Sequence, residues 1–278
     1  MRGRMLAVVC AGAIGAMALA GCGEEDQQEN VSETETLGPA SAEGDIEVSS
    51  ATLRSEQGFS TLVSTQITTR GDKDTLVASQ IELLGSGEPS FRLKVDGETE
   101  RDAKLEVTSE QGARTALLSC ACKMSTGEHV ILVEAAAKGS TAKVGARSLL
   151  VFPEVQLDDV GSSPVSASDL ETGGADVESE GVTLAETPAG DGSGPVIVLA
   201  SVVTPRTGTG SENVRLEVLI GGDDADELAK TSIPSGKLVA YLDQNGAGKE
   251  VELRGYTTAG RTAVGVSSII TCDCGLAR

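Results

Sequence analysis

The feature that most constrains the fold is an internal repeat, in which four short patterns recur in the same order after about 120 residues. The first copy contains Phe91–Val95, Gly127–Val130, Gly139–Ala142 and Val144–Leu150, and the second contains Val214–Val218, Gly248–Val251, Gly260–Ala263 and Val264–Ile270. Recurrence at a nearly fixed offset indicates a duplicated structural unit. The repeat therefore predicts two tandem copies of one domain, at residues 51–153 and 181–278.

Each copy has the composition of short β-strands separated by turns. The runs Thr61–Thr69 and Thr75–Leu84 have strand-forming composition, further short runs such as Thr115–Cys122 follow, and clusters of Gly, Asp or Ser lie between them. The segments with helix-forming residues show no sustained 3.6-residue period. The sequence predicts an all-β fold of two tandem Ig-like or jelly-roll-like β-sandwich domains. Because aromatic residues make up only 2% of the chain, the cores must be built from Val, Leu, Ile and Ala.

The N-terminus carries the pattern of an export signal. A basic start is followed by an uncharged apolar run over residues 5–20, which is shorter than the roughly 20 residues of a membrane-spanning helix. The run ends in Leu19, Ala20, Gly21 and Cys22, and this stretch resembles the lipobox of bacterial lipoproteins. The resemblance implies that residues 1–21 are a signal peptide, that Cys22 is diacylglycerylated, and that acyl chains such as palmitate anchor the protein.

The same resemblance implies an extracytoplasmic protein of the cell envelope. Gly23 follows the cysteine, which in diderm bacteria implies the outer membrane and otherwise the outer face of the cell membrane. The chain has 22 basic and 42 acidic residues, and two of the basic ones lie in the predicted signal peptide, so the mature chain carries a formal charge of −22. A surface of this sign repels nucleic acid and anionic lipid, so we expect attachment to the membrane through the lipid alone.

Two acidic segments are expected to lie outside the domains. Residues 22–50 contain nine acids and no Lys or Arg, a composition typical of a disordered tether. Residues 154–180 are rich in Asp, Glu, Gly and Ser and are predicted to be an acidic linker between the two copies.

Four cysteines remain once Cys10 and the lipidated Cys22 are set aside, and they form two Cys-x-Cys pairs: Cys120, Cys122, Cys272 and Cys274. An even number of cysteines in an exported protein favours disulfides. The repeat aligns Cys120 with Tyr241 and Cys272 with Phe152, so the two pairs occupy different positions in their copies. Bridges between the pairs would join the copies. Bridges within a pair would need the chain to curl, because residues i and i+2 of a strand are about 6.6 Å apart.

The same four thiols could instead bind a metal ion. Thiolates suit Zn²⁺ and Cu(I), and the one-residue spacing suits Cu(I) better than zinc. His129, the only histidine, follows Cys122 by seven residues and would be an additional ligand. Its alignment with Glu250 in the second copy predicts instead that His129 is a solvent-facing strand residue. The acidic stretch Gly221–Glu227 could bind Ca²⁺, although solvated loop acids are the commoner case.

No arrangement of residues typical of an enzyme is found. The single histidine has no nearby nucleophile, and the sequence lacks a Gly-x-Ser-x-Gly motif. We therefore expect a membrane-anchored envelope lipoprotein with a non-catalytic binding or structural role, acting through protein–protein contact and without a cofactor. The alternative is a thiol-based protein that binds Cu(I) or Zn²⁺, or performs redox chemistry, through the two Cys-x-Cys pairs.

Overall fold

Antiparallel β-strands make up nearly all of the regular structure that the computed structural model describes. The described residues are 43–70, 73–110, 112–155, 157–163, 168–170, 182–188, 195–205, 213–246, 248–257 and 262–274. The only helical element among them is a 3₁₀ turn at Ser55–Gln57, and none of them form a helix long and apolar enough to cross a membrane. The predicted all-β class is confirmed.

Ten strands form the first sandwich. They are β1 (Glu43–Glu47), β2 (Ala51–Arg54), β3 (Ser60–Thr69), β4 (Lys73–Leu84), β5 (Pro89–Val95), β6 (Glu98–Thr99), β7 (Lys104–Glu110), β8 (Ala113–Met124), β9 (Gly127–Ala137) and β10 (Thr141–Val155). The first inner sheet has the order β1-β10-β4-β8-β7, with β2 also paired to β10, and the first outer sheet has the order β3-β9-β5-β6.

Ten further strands repeat this arrangement. They are β11 (Leu157–Ser163), β12 (Ser168–Leu170), β13 (Val182–Pro188), β14 (Val196–Val203), β15 (Val214–Ile220), β16 (Asp223–Asp224), β17 (Asp226–Ile233), β18 (Gly236–Asp243), β19 (Glu250–Thr257) and β20 (Thr262–Cys274). The second inner sheet is β11-β20-β14-β18-β17, with β12 on β20, and the second outer sheet is β13-β19-β15-β16. Because the two copies match strand for strand, the duplication seen in the sequence is present in the topology.

Strands are also found in the two segments that composition assigned to a tether and a linker. Strand β1 lies within residues 22–50 and pairs with β10, while β11 and β12 lie within residues 154–180 and pair with β20. These strands close one edge of each inner sheet. An edge strand contributes mainly backbone hydrogen bonds, so it can be acidic and poor in apolar residues. The predicted domain starts at residues 51 and 181 are therefore too late, and the rest of the tether lies outside the described residues.

Each sandwich encloses its own core between its inner and outer sheets. The first core includes Ile81, Leu93, Ile131 and Leu149, and the second includes Val198, Val218, Leu253 and Ile269. All of these side chains are fully buried. Aliphatic residues dominate both cores, as the low aromatic content predicted.

A third apolar cluster lies between the two inner sheets and joins the copies. The first inner sheet contributes Leu76, Ala78, Leu117, Leu150 and Phe152, and the second contributes Ile197, Leu199, Leu238, Ala240, Leu242 and Ile270. Both inner sheets are therefore buried on both faces, and the described part of the molecule has four stacked sheets. Double burial explains why every residue of β14 is buried and why its sequence is continuously apolar rather than alternating.

The strand pairing fixes which positions of the two copies correspond. Cys120 pairs with Val77 in the first inner sheet, and Tyr241 pairs with Val198 in the second. In the same way Phe152 pairs with Leu76, and Cys272 pairs with Ile197. The alignments of Cys120 with Tyr241 and of Cys272 with Phe152 are therefore confirmed, and the two Cys-x-Cys pairs occupy different places in the fold.

Candidate functional site

The cluster with the greatest chemical potential consists of Glu100, Cys120 and Cys122. The two sulfur atoms are 2.7 Å apart, and both cysteines are buried free thiols. A carboxylate oxygen of Glu100 and the two sulfurs all lie within 4.8 Å of one another. We call these three residues the thiol cluster. Within the described part of the chain, it is the only group of His, Cys, Asp and Glu side chains close enough to share a metal ion.

The local sequence explains how the thiol cluster forms. Strand β8 pairs with β4 without a register shift from Thr115 to Met124, so its chain is extended at the two cysteines. In an extended strand, residues i and i+2 face the same side, here the core of the first sandwich. Glu100 follows β6, and its backbone N–H donates to the Leu93 carbonyl at 2.9 Å. That hydrogen bond fixes the chain carrying the carboxylate beside the thiols.

The surroundings of the thiol cluster disfavour negative charge on sulfur. The pKa of the Cys122 thiol is raised far above its ordinary value, first by the hydrogen bond to Cys120 and then by burial. The carboxylates of Glu100 and Asp102 raise this pKa further. Because the thiolate is the reactive form, thiols in such a setting are poor nucleophiles. A cation bound between the two thiols would instead stabilise their thiolate forms.

The structure brings together the two cysteines of one pair and not the two pairs. Cys120 and Cys122 pack in the core of the first sandwich. Cys272 and Cys274 lie in β20 of the second inner sheet, where their backbone positions are described and their side chains are not. The predicted bridges between copies depend on the side chains of Cys272 and Cys274, which lie outside the described part of the structure.

His129 is buried, with 6% of its surface exposed, so the prediction of a solvent-facing residue is wrong. Its Nδ1 is 2.7 Å from Asp96 Oδ2, and its Nε2 is 2.7 Å from the Ser125 carbonyl oxygen. Both partners are acceptors, so both contacts are satisfied only when both ring nitrogens are protonated and the ring is an imidazolium. The Asp96 carboxylate, followed by the Ser125 carbonyl, raises the pKa of His129. A ring with both nitrogens protonated cannot bind a metal, so His129 is not a ligand in this arrangement.

The error about His129 comes from a slip of one residue in the repeat alignment. The Asp96 N–H donates to the Val130 carbonyl, and the Gly221 N–H donates to the Glu250 carbonyl in the second copy. Val130 therefore corresponds to Glu250, and His129 corresponds to Lys249. A shift of one residue moves every side chain of a strand to the opposite face.

His129 also joins the two chain segments that lead to the thiol cluster. Asp96 precedes Glu100 by four residues, and Ser125 follows Cys122 by three. Asp96 and Gly97 have φ values of 50° and 88°, as the tight type I′ turn between β5 and β6 requires. Asp96 Oδ1 also accepts a hydrogen bond of 2.9 Å from the Val130 N–H. The histidine is therefore a positioning residue for both sides of the cluster.

The acidic stretch considered for calcium is part of a hairpin. Gly221 and Gly222 have φ values of 64° and 90° and form the tight turn, while the acids that follow lie in β16 and β17. Glu227 forms an ion pair of 2.8 Å with Lys230. These acids are not among the described groups close enough to hold a metal ion, so the structure gives the calcium alternative no support.

In the second copy, residues of a different chemical type occupy the position of the thiols. A cleft of about 400 Å³ lies beside β15, and Lys237 and Tyr241 line it. The Tyr241 hydroxyl donates to the Leu216 carbonyl at 2.6 Å, and Lys237 Nζ donates to the Val214 carbonyl. Tyr241 and Cys120 occupy equivalent positions, so the duplicated fold has a hydrogen-bonded phenol in one copy and a thiol in the other. Sequence reasoning did not identify this cleft.

An aromatic–arginine contact lies on the outward face of the first outer sheet. The Arg92 guanidinium stacks over the Phe59 ring at 4.0 Å and forms a 2.6 Å ion pair with Glu134. Phe59 is 39% exposed, and Val130 on the same sheet is 41% exposed. We call Phe59, Arg92 and Glu134 the outer patch, and Val130 lies four residues from Glu134 along β9.

No protein-family model matches the chain, and none of the curated proteins is similar to it in sequence.

Proposed function

We propose that the chain is a lipid-anchored lipoprotein of the cell envelope whose two sandwiches form a non-catalytic module for contact with a protein partner. The observation that carries the proposal is the outer patch, in which the exposed Phe59 ring stacks with the half-buried Arg92 on a sheet that faces away from the second copy. Arginine and aromatic residues are enriched among the residues that dominate binding energy at interfaces.

The geometry of the outer patch favours binding. The ion pair with Glu134 holds Arg92 over the Phe59 ring, so little side-chain freedom remains to be lost on contact. The chain has only three phenylalanines, and Phe152 is fully buried between the copies. Exposure of Phe59 in so aromatic-poor a chain is therefore unusual, and a binding role would explain it.

The anchor is proposed from the sequence. The Leu19–Cys22 stretch supplies a lipid attachment site, and the strongly acidic mature chain would be repelled by an anionic membrane surface. Two or more acyl chains are needed for stable attachment, which the lipoprotein pattern supplies. The sandwiches would then be held away from the bilayer, with their outer sheets free for a partner.

The anchor is tested by metabolic labelling with a palmitate analogue and by detergent phase partitioning. We expect Cys22→Ser to lose the label and move to the aqueous phase, while Cys10→Ser, altered within the predicted signal peptide, behaves as wild type. Equal labelling of Cys22→Ser and wild type would contradict the proposal.

The contact function is tested by cross-linking in living cells. A photoreactive residue at position 130 should give one discrete protein adduct, and Phe59→Ala should abolish it. The same photoreactive residue at Thr183, which is exposed on the second outer sheet, is the control and should give none. Adducts of equal yield from positions 130 and 183, or no adduct from position 130, would oppose the proposal.

A second candidate function is thiol-based binding of a soft metal ion, which the thiol cluster favours. The redox form of this candidate is less well supported, because the raised pKa of Cys122 opposes thiolate formation. Replacement of both cysteines, Cys120→Ala with Cys122→Ala, should remove any stoichiometric zinc or copper from protein purified without reductant. Metal content unchanged by this double substitution would exclude the second function.

A further inference from the structure

We infer that Glu100, Cys120 and Cys122 form a mononuclear Zn²⁺ site contained within the first copy, with the Glu100 carboxylate as the third protein ligand. The inference rests on the second function proposed above, soft-metal binding, and specifies its ion and its ligands. The three ligand atoms already lie within 4.8 Å of one another.

The backbone favours an ion between the thiols over a bond between them. A disulfide needs its two Cβ atoms about 3.8 Å apart. Side chains at positions i and i+2 of an extended strand start from Cα atoms about 6.6 Å apart, so the chain would have to curl. Strand β8 does not curl here, because its ladder with β4 runs unbroken through Cys120 and Cys122. Two zinc–sulfur bonds of about 2.3 Å in tetrahedral geometry hold their sulfurs about 3.7 Å apart. The sulfurs of Cys120 and Cys122 lie 2.7 Å apart, so zinc binding requires side-chain rotation that separates them by about 1 Å.

The donor set selects among metal ions. Ca²⁺ and Mg²⁺ take oxygen ligands, and Cu(I) is selected by thiolates. Zn²⁺ accepts sulfur and carboxylate oxygen together, usually in tetrahedral geometry. Three protein ligands leave a fourth position for water or an external ligand. Glu100 is partly exposed, so the cluster has a side open to solvent.

Charge balance also favours a divalent ion. Binding of Zn²⁺ releases one proton from each thiol, so two positive charges replace two protons and the net charge of the cluster does not change. Binding of Cu(I) to the same two thiolates and carboxylate would add a negative charge. The two cysteines are buried, so an added negative charge at this site would be unfavourable.

The remaining candidate ligands are excluded from this site by their positions. Both nitrogens of His129 donate to oxygen atoms of Asp96 and Ser125. Cys272 and Cys274 lie on β20 of the second inner sheet, beyond the first inner sheet. The site is therefore complete within residues 100–122, and we expect one ion per chain.

The test uses the full mature chain, reduced and freed of metal, titrated with Zn²⁺ against a chromophoric chelator. We expect one Zn²⁺ per chain, and Co²⁺ in its place should give a sulfur-to-cobalt charge-transfer band. The pair Cys120→Ala with Cys122→Ala should abolish binding, whereas Cys272→Ala with Cys274→Ala is the matched control and should bind as wild type. Glu100→Gln should weaken Zn²⁺ binding by at least about tenfold, given that even outer-shell changes cost 10–100-fold.

The outcomes separate the inference from the function on which it rests. Zinc affinity unchanged in Glu100→Gln, or lost in the Cys272 and Cys274 control, would overturn the inference and leave thiol-based metal binding in place. Tighter binding of Cu(I) that is insensitive to Glu100→Gln would also overturn it. Wild-type binding by the Cys120 and Cys122 variant would refute both. Thermal unfolding of each metal-free variant shows whether a loss of binding is a loss of fold.

Discussion

Gln80 Nε2 donates a hydrogen bond of 3.1 Å to Ser201 Oγ across the interface between the two copies. These two residues are each other's counterparts, because Gln80 pairs with Ser148 and Leu117 in the first inner sheet, and Ser201 pairs with Ser268 and Leu238 in the second. A residue that meets its own counterpart lies on a local two-fold axis. The interface is therefore isologous, as in a symmetric homodimer.

Replacement of Gln80 should destabilise the whole molecule. Its amide also donates to the Val202 carbonyl at 2.8 Å, and both groups are buried. Gln80→Ala should lower the free energy of unfolding by about 2–3 kcal/mol, because it leaves buried polar groups without partners. Urea denaturation measures this change, and Gln66→Ala, at an exposed position of the first outer sheet, is the control with little expected effect. Equal stability of the two variants would contradict a structural role for Gln80.

Phe152 should be among the most sensitive positions, because its ring is fully buried between the copies. Phe152→Ala should cost about 3–5 kcal/mol of stability, the usual range for removal of a buried aromatic side chain. Phe59→Ala removes the same atoms from a partly exposed ring that stacks with Arg92, and it should cost only about 1 kcal/mol. Denaturant unfolding of the two variants tests the difference, and similar losses would show that the inner sheets do not pack as described.

Gly145 should not tolerate a side chain, because a Cβ atom there would overlap the Glu82 carboxylate. Glu82 is buried and accepts a 3.2 Å hydrogen bond from the Ala146 N–H at a bulge in β10. Gly145→Ala should cost about 1–3 kcal/mol through overpacking. Gly139→Ala is the matched control, since a Cβ atom at that position meets no other atom within 4 Å. Thermal unfolding of both variants decides whether the space at Gly145 is required.

The pair of His129 and Asp96 should make stability depend on pH in a defined direction. The pKa of His129 is raised, so its contribution is fully present below about pH 6.5 and is lost as the pH rises through the folded-state pKa. The pKa of Asp96 is lowered, mainly by the Val130 N–H, so its contribution is present above about pH 4 and is lost as the pH falls through the folded-state pKa. The pair should stabilise the fold most between these two limits.

Two measurements check this behaviour. The chain has a single histidine, so its NMR titration is unambiguous and should give a pKa above 6.5. The stability lost in His129→Gln should be largest near pH 5–6 and should shrink at alkaline pH. A histidine that titrates at or below 6.5, or a loss that grows with pH, would show that the imidazolium does not form.

Much of the fold could be predicted from the sequence because the strand signals are local. Alternating and β-branched runs identified the strands, and the repeat identified the duplication. The doubly buried run Val196–Val203 could not be interpreted fully, because an apolar strand does not show what covers its second face. The contact between the inner sheets is made by residues about 120 positions apart in the chain, so no local sequence pattern predicts it.

The candidate site could be predicted only in part. Cys120 and Cys122 were recognised from their spacing, but Glu100 was not, because it is one acid among 42 and reaches the thiols through the fold. His129 was misplaced because the two copies differ by one residue in length between β8 and β9: Val130 follows Cys120 by ten residues, whereas Glu250 follows Tyr241 by nine. The hydrogen bond between the Asp96 N–H and the Val130 carbonyl was needed to correct the alignment.

The local two-fold axis has a consequence for the stoichiometry of the site. In a homodimer built on the same interface, every substitution would appear in both subunits. The dimer would therefore carry two thiol clusters or none. Covalent duplication lets the two halves diverge, so one half has Cys120 at the position where the other half has Tyr241. The chain can therefore keep a symmetric interface for stability while it carries a single, asymmetric site.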